Sequence, residues 1–362
     1  MNAQQRLSAL RRRLALEEVP AILLMGISNM RYITGFENVF DEGINGACLI
    51  TPEIARFYTD RRYSEAAERA AEGTPWTVRI QRESLYIELC DELTNDSIGE
   101  IALEPEVPYG RFKFISEQFG GSVKVVGHWV EELRQVKESH EIERIAAAAS
   151  LADRAFDHIL GHIETGMTER EVALELEFFM RRNGSDGMPF PPIVASGPNS
   201  AKPHATVSDR VIATGDVLKM DFGARVQGYC SDMTRTVVIG RASERQREVY
   251  EAVLAANEAG LEAVRAGVGG AEVHEAARAT LVERGMAELF THGLGHGVGL
   301  DVHELPTLNP RSDDSIRAGS VVTIEPGVYE PGVAGVRIED LVVVEEHGHR
   351  LLSHAPKTLI EI

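Results

Sequence analysis

The stretch MDFGARVQGYCSDMTRT, residues 220–236, sets Asp221 and Asp232 in two runs of strand-forming residues separated by a turn at QGY. With the turn centred near Val226 and Gln227, antiparallel pairing is expected to place Asp221 opposite Asp232, their Cβ atoms about 4.5–5.5 Å apart. Like charges that close destabilise a sheet, so something positive should lie between them. A divalent cation would turn the repulsion into chelation.

The arrangement recurs downstream. In SVVTIEPGVYEPGVAGVRIEDLVVV, residues 320–344, Glu325 and Glu339 lie on two apolar runs about a midpoint at Gly332, inside the turn-prone PGVAG. A second hairpin is expected, again with carboxylate facing carboxylate. One such pair reads equally well as a solvated strand face; two pairs among otherwise apolar strands point to a site. Between the hairpins, FTHGLGHGVGLDVHE, residues 290–304, carries His292, His296 and His303 among Gly293, Gly295, Gly297 and Gly299. His292 and His296 have the spacing of a helical metal pair, but this density of glycine argues for a loop whose backbone approaches a ligand closely.

Asp221, Asp232, His296, Glu325 and Glu339 thus form one candidate set. Four carboxylates and one imidazole carry too much negative charge for a single closed zinc site and suit two adjacent dications. Oxygen-rich ligation with one nitrogen favours manganese, cobalt, iron or zinc over a thiolate-type centre. Two such ions lower the pKa of a bridging water and polarise a carbonyl, which is hydrolytic chemistry.

The rest of the chain frames this site. Its 362 residues suffice for two domains, and 43% apolar with 26% charged residues is the composition of a globular protein. A formal charge of −19 disfavours nucleic acid and anionic membrane as partners. Cys48, Cys90 and Cys230 are scattered and odd in number, which fits a reducing compartment. The first twenty residues read as an amphipathic helix rather than a signal peptide, and no apolar run approaches the ~20 residues of a membrane span. A cytoplasmic protein is expected. Residues 1–130 alternate strand and helix patterns (PAILLMG, GACLIT, ARFYTD, then SEAAERAAEG stopped by Gly73), an α/β domain with a mixed or parallel sheet. Residues 131–362 open with a long helical pattern. Thr168 with Glu171 and Ser243 with Gln246 then form capping boxes at the starts of two further helices, and a fourth helical pattern ends at Gly285. Helices mixed with hairpins make this second domain α+β.

Five stretches in order, VASGPNSAKPHA, MDFGARVQGYCSDMTRTV, HGLGHGVGLDVHELP, TIEPGVY and VRIED, resemble the pita-bread metallopeptidases, in particular the Xaa-Pro dipeptidase (prolidase) and aminopeptidase P branch. NMRYITGF and YTDRRYSEAA resemble that branch's creatinase-like N-terminal domain, so the likeness spans the chain. It implies a creatinase-like α/β domain, residues 1–130, followed by a pita-bread catalytic domain, residues 131–362. It implies that Asp232 and Glu339 bridge two divalent ions, that Asp221 completes one site, and that His296 and Glu325 complete the other. Mn2+ is the first expectation for the metal, with Co2+, Zn2+ or Fe2+ as other occupants. The resemblance further implies that His204 and His303 contact substrate and stabilise an oxyanion, that His292 also binds substrate, and that Arg337 is a catalytic and substrate-binding residue that orients substrate or the acidic cluster. Plainer readings are charge balance for Arg337 and a supporting hydrogen bond for His292. The expected reaction is attack of a metal-bridging hydroxide on the carbonyl before proline, with Glu325 passing the proton to the leaving nitrogen. A homodimer acting on an Xaa-Pro dipeptide or longer peptide is implied.

The sequence departs from the branch at MPFPPIV, residues 188–194, where an Asp-Thr pair is common, and in a short segment after TIEPG. Neither touches a proposed ligand. Competing expectations are an Xaa-Pro aminopeptidase, a methionine aminopeptidase (which the extra N-terminal domain disfavours), creatinase (which lacks the ligands), and a non-catalytic protein on the same fold.

Overall fold

Leu7, Leu10 and Leu14 recur at helical spacing and are buried along one face of α1 (Ala3–Leu16), whose first turn is capped reciprocally by Asn2 and Gln5. A computed structural model of the chain describes residues 2–41 and 43–362 and divides them into two units between Arg134 and Gln135. In the first unit α1 is followed by β1 (Ile22–Leu24), α2 (Ile27–Thr34), β2 (Ala47–Ile50), β3 (Ala55–Thr59), α3 (Ser64–Ala71), β4 (Thr77–Ile80), α4 (Leu85–Asn95), β5 (Glu100–Leu103), α5 (Tyr109–Gln118), β6 (Ser122–Val125) and α6 (Trp129–Arg134). The strands form one sheet in the order β4-β3-β2-β1-β5-β6. It is mixed: β2 runs antiparallel to both β1 and β3, and the other pairings are parallel. Strands β1 and β2 are buried along their whole length, which explains why PAILLMG and GACLIT read as continuous apolar runs rather than as alternation. Leu89 and Leu93 of α4 and Ile115 of α5 pack with Leu23, Leu49 and Leu103.

The second unit is built twice over from a helix pair laid on a sheet. Its first half holds α7 (Ser139–Leu160), α8 (Glu169–Arg182), β7 (Ile193–Ser196), β8 (Val217–Phe222), β9 (Arg225–Val226), β10 (Tyr229–Cys230) and β11 (Met233–Val238). Its second half holds α9 (Glu244–Ala263), α10 (Gly270–Glu283), β12 (Gly295–Gly297), β13 (Glu304–Leu308), β14 (Val321–Ile324), β15 (Gly327–Glu330), β16 (Ala334–Arg337), β17 (Asp340–Glu345) and β18 (Gly348–Leu351), and β19 (Ile360–Glu361) returns to pair with β11. Ala148, Leu151, Ala152, Ala155, Phe156 and Ile159 make one stripe of α7, which with Val172 and Leu176 of α8 buries Leu218, Met220 and Phe222 of β8. A separate core joins Val249, Val253 and Ala256 of α9 and Val273 and Ala277 of α10 to Val322, Ile324 and Val342 of the second sheet. Both expected capping boxes form, at Thr168–Glu171 and Ser243–Gln246.

The two sheets are fastened by buried polar groups. The Arg235 guanidinium of β11 donates to the carbonyl oxygens of Glu339 and Ala355 and to Asp340 Oδ1 at 2.8 Å, while Lys357 Nζ reaches Asp340 Oδ2 at 2.8 Å. The Glu339 N–H donates to the Thr234 carbonyl oxygen at 3.1 Å, and Thr236 Oγ1 donates to the Arg337 carbonyl oxygen at 2.9 Å. Arg235→Ala strands several buried acceptors and is expected to cost about 3–5 kcal/mol. The check is a urea melt read twice: the circular dichroism transition of the second unit shifts to lower urea, while fluorescence from Trp76 and Trp129, both in the first unit, keeps its midpoint.

Candidate metal and active site

The first hairpin turns one residue later than its sequence suggests. Gln227 and Gly228, with φ of 48° and 80°, form the two-residue loop between β9 and β10, a left-handed turn that matches strand twist and that glycine adopts without strain. The ladder therefore pairs Asp221 with Thr234 and Met233 with Phe222, and Asp232 lies just beyond the end of β11 rather than directly opposite Asp221. This corrects the expected register. A turn shifted by one residue slides the register by two, and a slide of two keeps each side chain on its face, so the two carboxylates still converge.

The second hairpin folds as two ladders interrupted at Pro326, which lacks an N–H. Ile324 pairs with Asp340, and Gly327 with Arg337. The shared register sets Glu325 against Glu339 in the gap. In that gap their N–H groups turn elsewhere, Glu325 to the Leu294 carbonyl oxygen and Glu339 to Thr234. His296 does not sit on a loop, as the glycines suggested, but on β12 between β13 and β14. The glycines permit this by size: a Cβ at Gly295 would lie 2.0 Å from the Thr323 oxygen and one at Gly297 would lie 2.1 Å from the Leu305 oxygen.

All nine residues singled out in the sequence (Asp221, Asp232, His296, Glu325, Glu339, His204, His292, His303 and Arg337) line one cavity of about 550 Å3. Ligating atoms of Asp221, Asp232 and Glu339 lie within 4.8 Å of one another, as do those of His296, Glu325 and Glu339, and of Asp232, His296 and His303. Glu339, Asp232 and His296 are thus each shared between two of these groups. His292 belongs to none of these groups. Its Nδ1 faces the Gly293 carbonyl oxygen at 2.7 Å and its Nε2 faces the Tyr329 hydroxyl at 2.9 Å. His204 is exposed at the rim, and the His303 ring stands edge-on to His296 with centroids 4.3 Å apart.

The electrostatics are those of a crowded anion cluster. Burial, then the charges of Glu339, Asp221 and Glu325, push the Asp232 carboxyl well above its ordinary range, and burial with Glu325 and Asp221 does the same to Glu339. Burial would also raise Glu325, but the hydrogen bond and charge of His296 and the charge of Arg337 outweigh it and hold it near 2. Burial lowers His292 to about 4. Arg337 donates to Asp221 Oδ2, to Thr234 Oγ1 at 3.0 Å, to the Tyr329 hydroxyl at 2.8 Å and to the Pro203 carbonyl oxygen at 3.2 Å. It is therefore fixed to the acidic cluster. Lys219 lies beneath the cluster, donating to the carbonyl oxygens of Ser200, Lys202 and Pro203, and burial followed by the Arg337 charge lowers its pKa to about 6.

These residues fit divalent ions. Asp221 Oδ1, Asp232 Oδ1 and Glu339 Oε1 are buried without a hydrogen-bond donor. His296 Nδ1 lies 3.1 Å from the Gly297 carbonyl oxygen, which can only accept, so Nδ1 carries the proton. Nε2 then faces Glu325 at 3.3 Å and Asp232 at 3.6 Å. Orphaned carboxylate oxygens and an imidazole Nε2, whose proton a metal ion would displace, are aimed at one space and form a donor set for cations.

Glu169 is a positioning residue that sequence reading missed. It is fully buried in the first turn of α8 and accepts hydrogen bonds from Ser196 N and Oγ, Asn199 Nδ2, and Ser208 N and Oγ, at 2.6–3.3 Å. It thereby ties both ends of the segment that carries His204. Its sequence context marks it only as an acid at a helix start, since its partners lie 27 to 39 residues away. Glu169→Gln strands donors worth about 1–3 kcal/mol. Amide exchange across residues 196–208 is expected to accelerate about 10- to 100-fold while β8 stays protected, as read by hydrogen-exchange mass spectrometry.

Comparison with known proteins extends these observations to the whole chain. The profile of metallopeptidase family M24 matches residues 143–346, and that of the creatinase/prolidase N-terminal domain matches residues 6–136. An Xaa-Pro dipeptidase of Pyrococcus horikoshii is 35% identical over 343 residues, 94% of this chain and 95% of that one. The solved structure of an Xaa-Pro dipeptidase from Bacillus anthracis superposes with a TM-score of 0.94 at 38% identity, covering 100% of both chains. That of an X-Pro aminopeptidase from Thermotoga maritima superposes with a TM-score of 0.85 at 37% identity, covering 97% of this chain and 100% of that one. With a pita-bread domain whose two hairpins gather the acidic cluster, behind a creatinase/prolidase N-terminal domain, the chain belongs to metallopeptidase family M24.

Proposed function

We propose that the chain is a metal-dependent Xaa-Pro dipeptidase. The observation that carries this reading is the pair of ligand groups sharing Glu339, with three buried carboxylate oxygens that no protein donor satisfies. Asp221, Asp232 and Glu339 would hold one divalent ion, and His296 and Glu325, together with Glu339 and Asp232, would hold the other. Manganese is the first expected occupant, with cobalt, zinc or iron as alternatives. Two ions there supply Lewis acidity, lowering the pKa of a water and polarising the scissile carbonyl.

The chain's own residues do the rest. Glu325 accepts a proton from the attacking water and delivers it to the prolyl nitrogen, which leaves as an amine. His303, from within the cavity, and His204, from its rim, donate to the carbonyl oxygen as negative charge develops there. Tyr329 and Arg337 hold His292 and Asp221 in place. Phe190, Pro191 and Ile193 give the cavity an apolar wall suited to a pyrrolidine ring. These residues belong to MPFPPIV, where the sequence departs from its branch. A dipeptidase must also bind a free carboxylate. Arg337 is committed to the cluster, whereas Arg311 lines the same cavity with an exposed side chain. We assign the carboxylate contact to Arg311.

The net charge of −19 opposes nucleic acid and anionic surfaces as partners, and no helix among the described residues is long and apolar enough to cross a membrane. A cytoplasmic homodimer is the working assembly, and sedimentation of the purified chain tests it. Two further measurements test the activity. Chelation should abolish hydrolysis of an Xaa-Pro dipeptide and Mn2+ should restore it, but not in Asp232→Asn; full turnover by metal-free protein overturns the reading. Arg311→Ala should raise KM for the dipeptide about 10- to 100-fold, the worth of a charged hydrogen bond, and leave an Xaa-Pro-Yaa tripeptide little affected. Tripeptide turnover exceeding dipeptide turnover in the wild type would assign the chain to the aminopeptidases instead.

A further inference from the structure

The end of α7 carries a second group of ligating side chains, none of which lines the cavity described above. His158 and His162 are four residues apart. Helical hydrogen bonding continues past Leu160, where the His162 N–H donates to the Ile159 carbonyl oxygen at 2.9 Å, so the two imidazoles share a face with ring centroids 3.8 Å apart. Glu175 of α8 meets them, its Oε1 2.7 Å from His158 Nε2. One ligating atom from each of the three lies within 4.8 Å of the other two.

The surroundings hold both rings ready. Phe179, one turn beyond Glu175, stacks on His158 with centroids 4.3 Å apart and planes 22° from parallel. His162 Nδ1 lies 2.7 Å from the His158 carbonyl oxygen. That oxygen only accepts, so Nδ1 carries a proton and Nε2 is the nitrogen that the neutral ring offers to a metal. The side chains of His158 and Glu175 are 22% and 38% exposed, and His162 is exposed, so an ion reaches the group from solvent and keeps a position for water.

We propose that His158, His162 and Glu175 form a separate site for one transition-metal ion, which clamps the end of α7 to α8. Two imidazole nitrogens and one carboxylate oxygen select Zn2+, Co2+, Ni2+ or Cu2+ over Mg2+ and Ca2+. The ion takes the place of the hydrogen bond that now joins His158 to Glu175, and His162 supplies the third ligand. Arg182 also acts on Glu175, and the ion competes with that charge for the carboxylate.

The test is equilibrium dialysis of the full chain against Zn2+, with zinc per chain measured by plasma mass spectrometry. His162→Ala and Glu175→Gln should each bind one zinc fewer than the wild type and retain its dipeptidase activity. Asp232→Asn should keep the zinc that depends on His162, which separates this site from the catalytic centre. Glu175→Gln preserves the shape of the contact, so a loss shared by both variants is a loss of ligand rather than of fold. Equal zinc content in wild type and His162→Ala overturns the proposal and leaves His158–Glu175 a simple ion pair.

Discussion

Three buried carboxylates and a fourth that is partly buried, all facing one buried arginine, are the constraint to which the rest of the second unit answers. Burial disfavours charge on all four, and neighbouring acids disfavour it further on Asp232 and Glu339, whereas Arg337 favours it on Asp221 and His296 with Arg337 on Glu325, so protein groups balance only part of the cluster. Arg337 neutralises part of it and spends its remaining donors on Thr234, Tyr329 and Pro203. Lys219, held close to neutrality by burial, adds little positive charge. Such a donor set suits divalent ions, and on the function proposed above those ions would make it a centre for hydrolysis.

The fold delivers these acids through interrupted ladders rather than through regular strands. Asp232 lies past a strand end, Glu325 precedes the proline that breaks its ladder, and Glu339 gives its N–H to the neighbouring sheet. A regular strand would present such side chains alternately to the two faces. The breaks aim them at one point, and Arg235 fixes the sheets that carry them. The scaffold is apolar and ordinary, and its irregularities fall where the chemistry is.

Much of this was legible in the residues because β-structure has a period of two. A first turn one residue later than the sequence suggests changes the partner of Asp221 but not its face, so the acids converge in either register. The capping boxes were legible for a similar reason, since their donors and acceptors are three residues apart. What escaped was non-local or steric. Glu169 looks like any acid at a helix start until its distant serines and asparagine are in view. Gly295 and Gly297 looked like loop residues because sequence cannot distinguish a glycine chosen for its dihedral freedom from one chosen for its size. Arg311 stood out only once Arg337 was seen to be committed.

The aspartates stand on a sheet with its own hydrophobic interior beneath α7 and α8, and the glutamates stand on a sheet with another beneath α9 and α10. Ions held between them would therefore act as rivets as well as reagents. Prying the halves apart would mean giving up ligands, and losing ligands would free the halves to drift. Catalytic competence and mechanical integrity then become one property of this unit, written in the same few oxygen atoms.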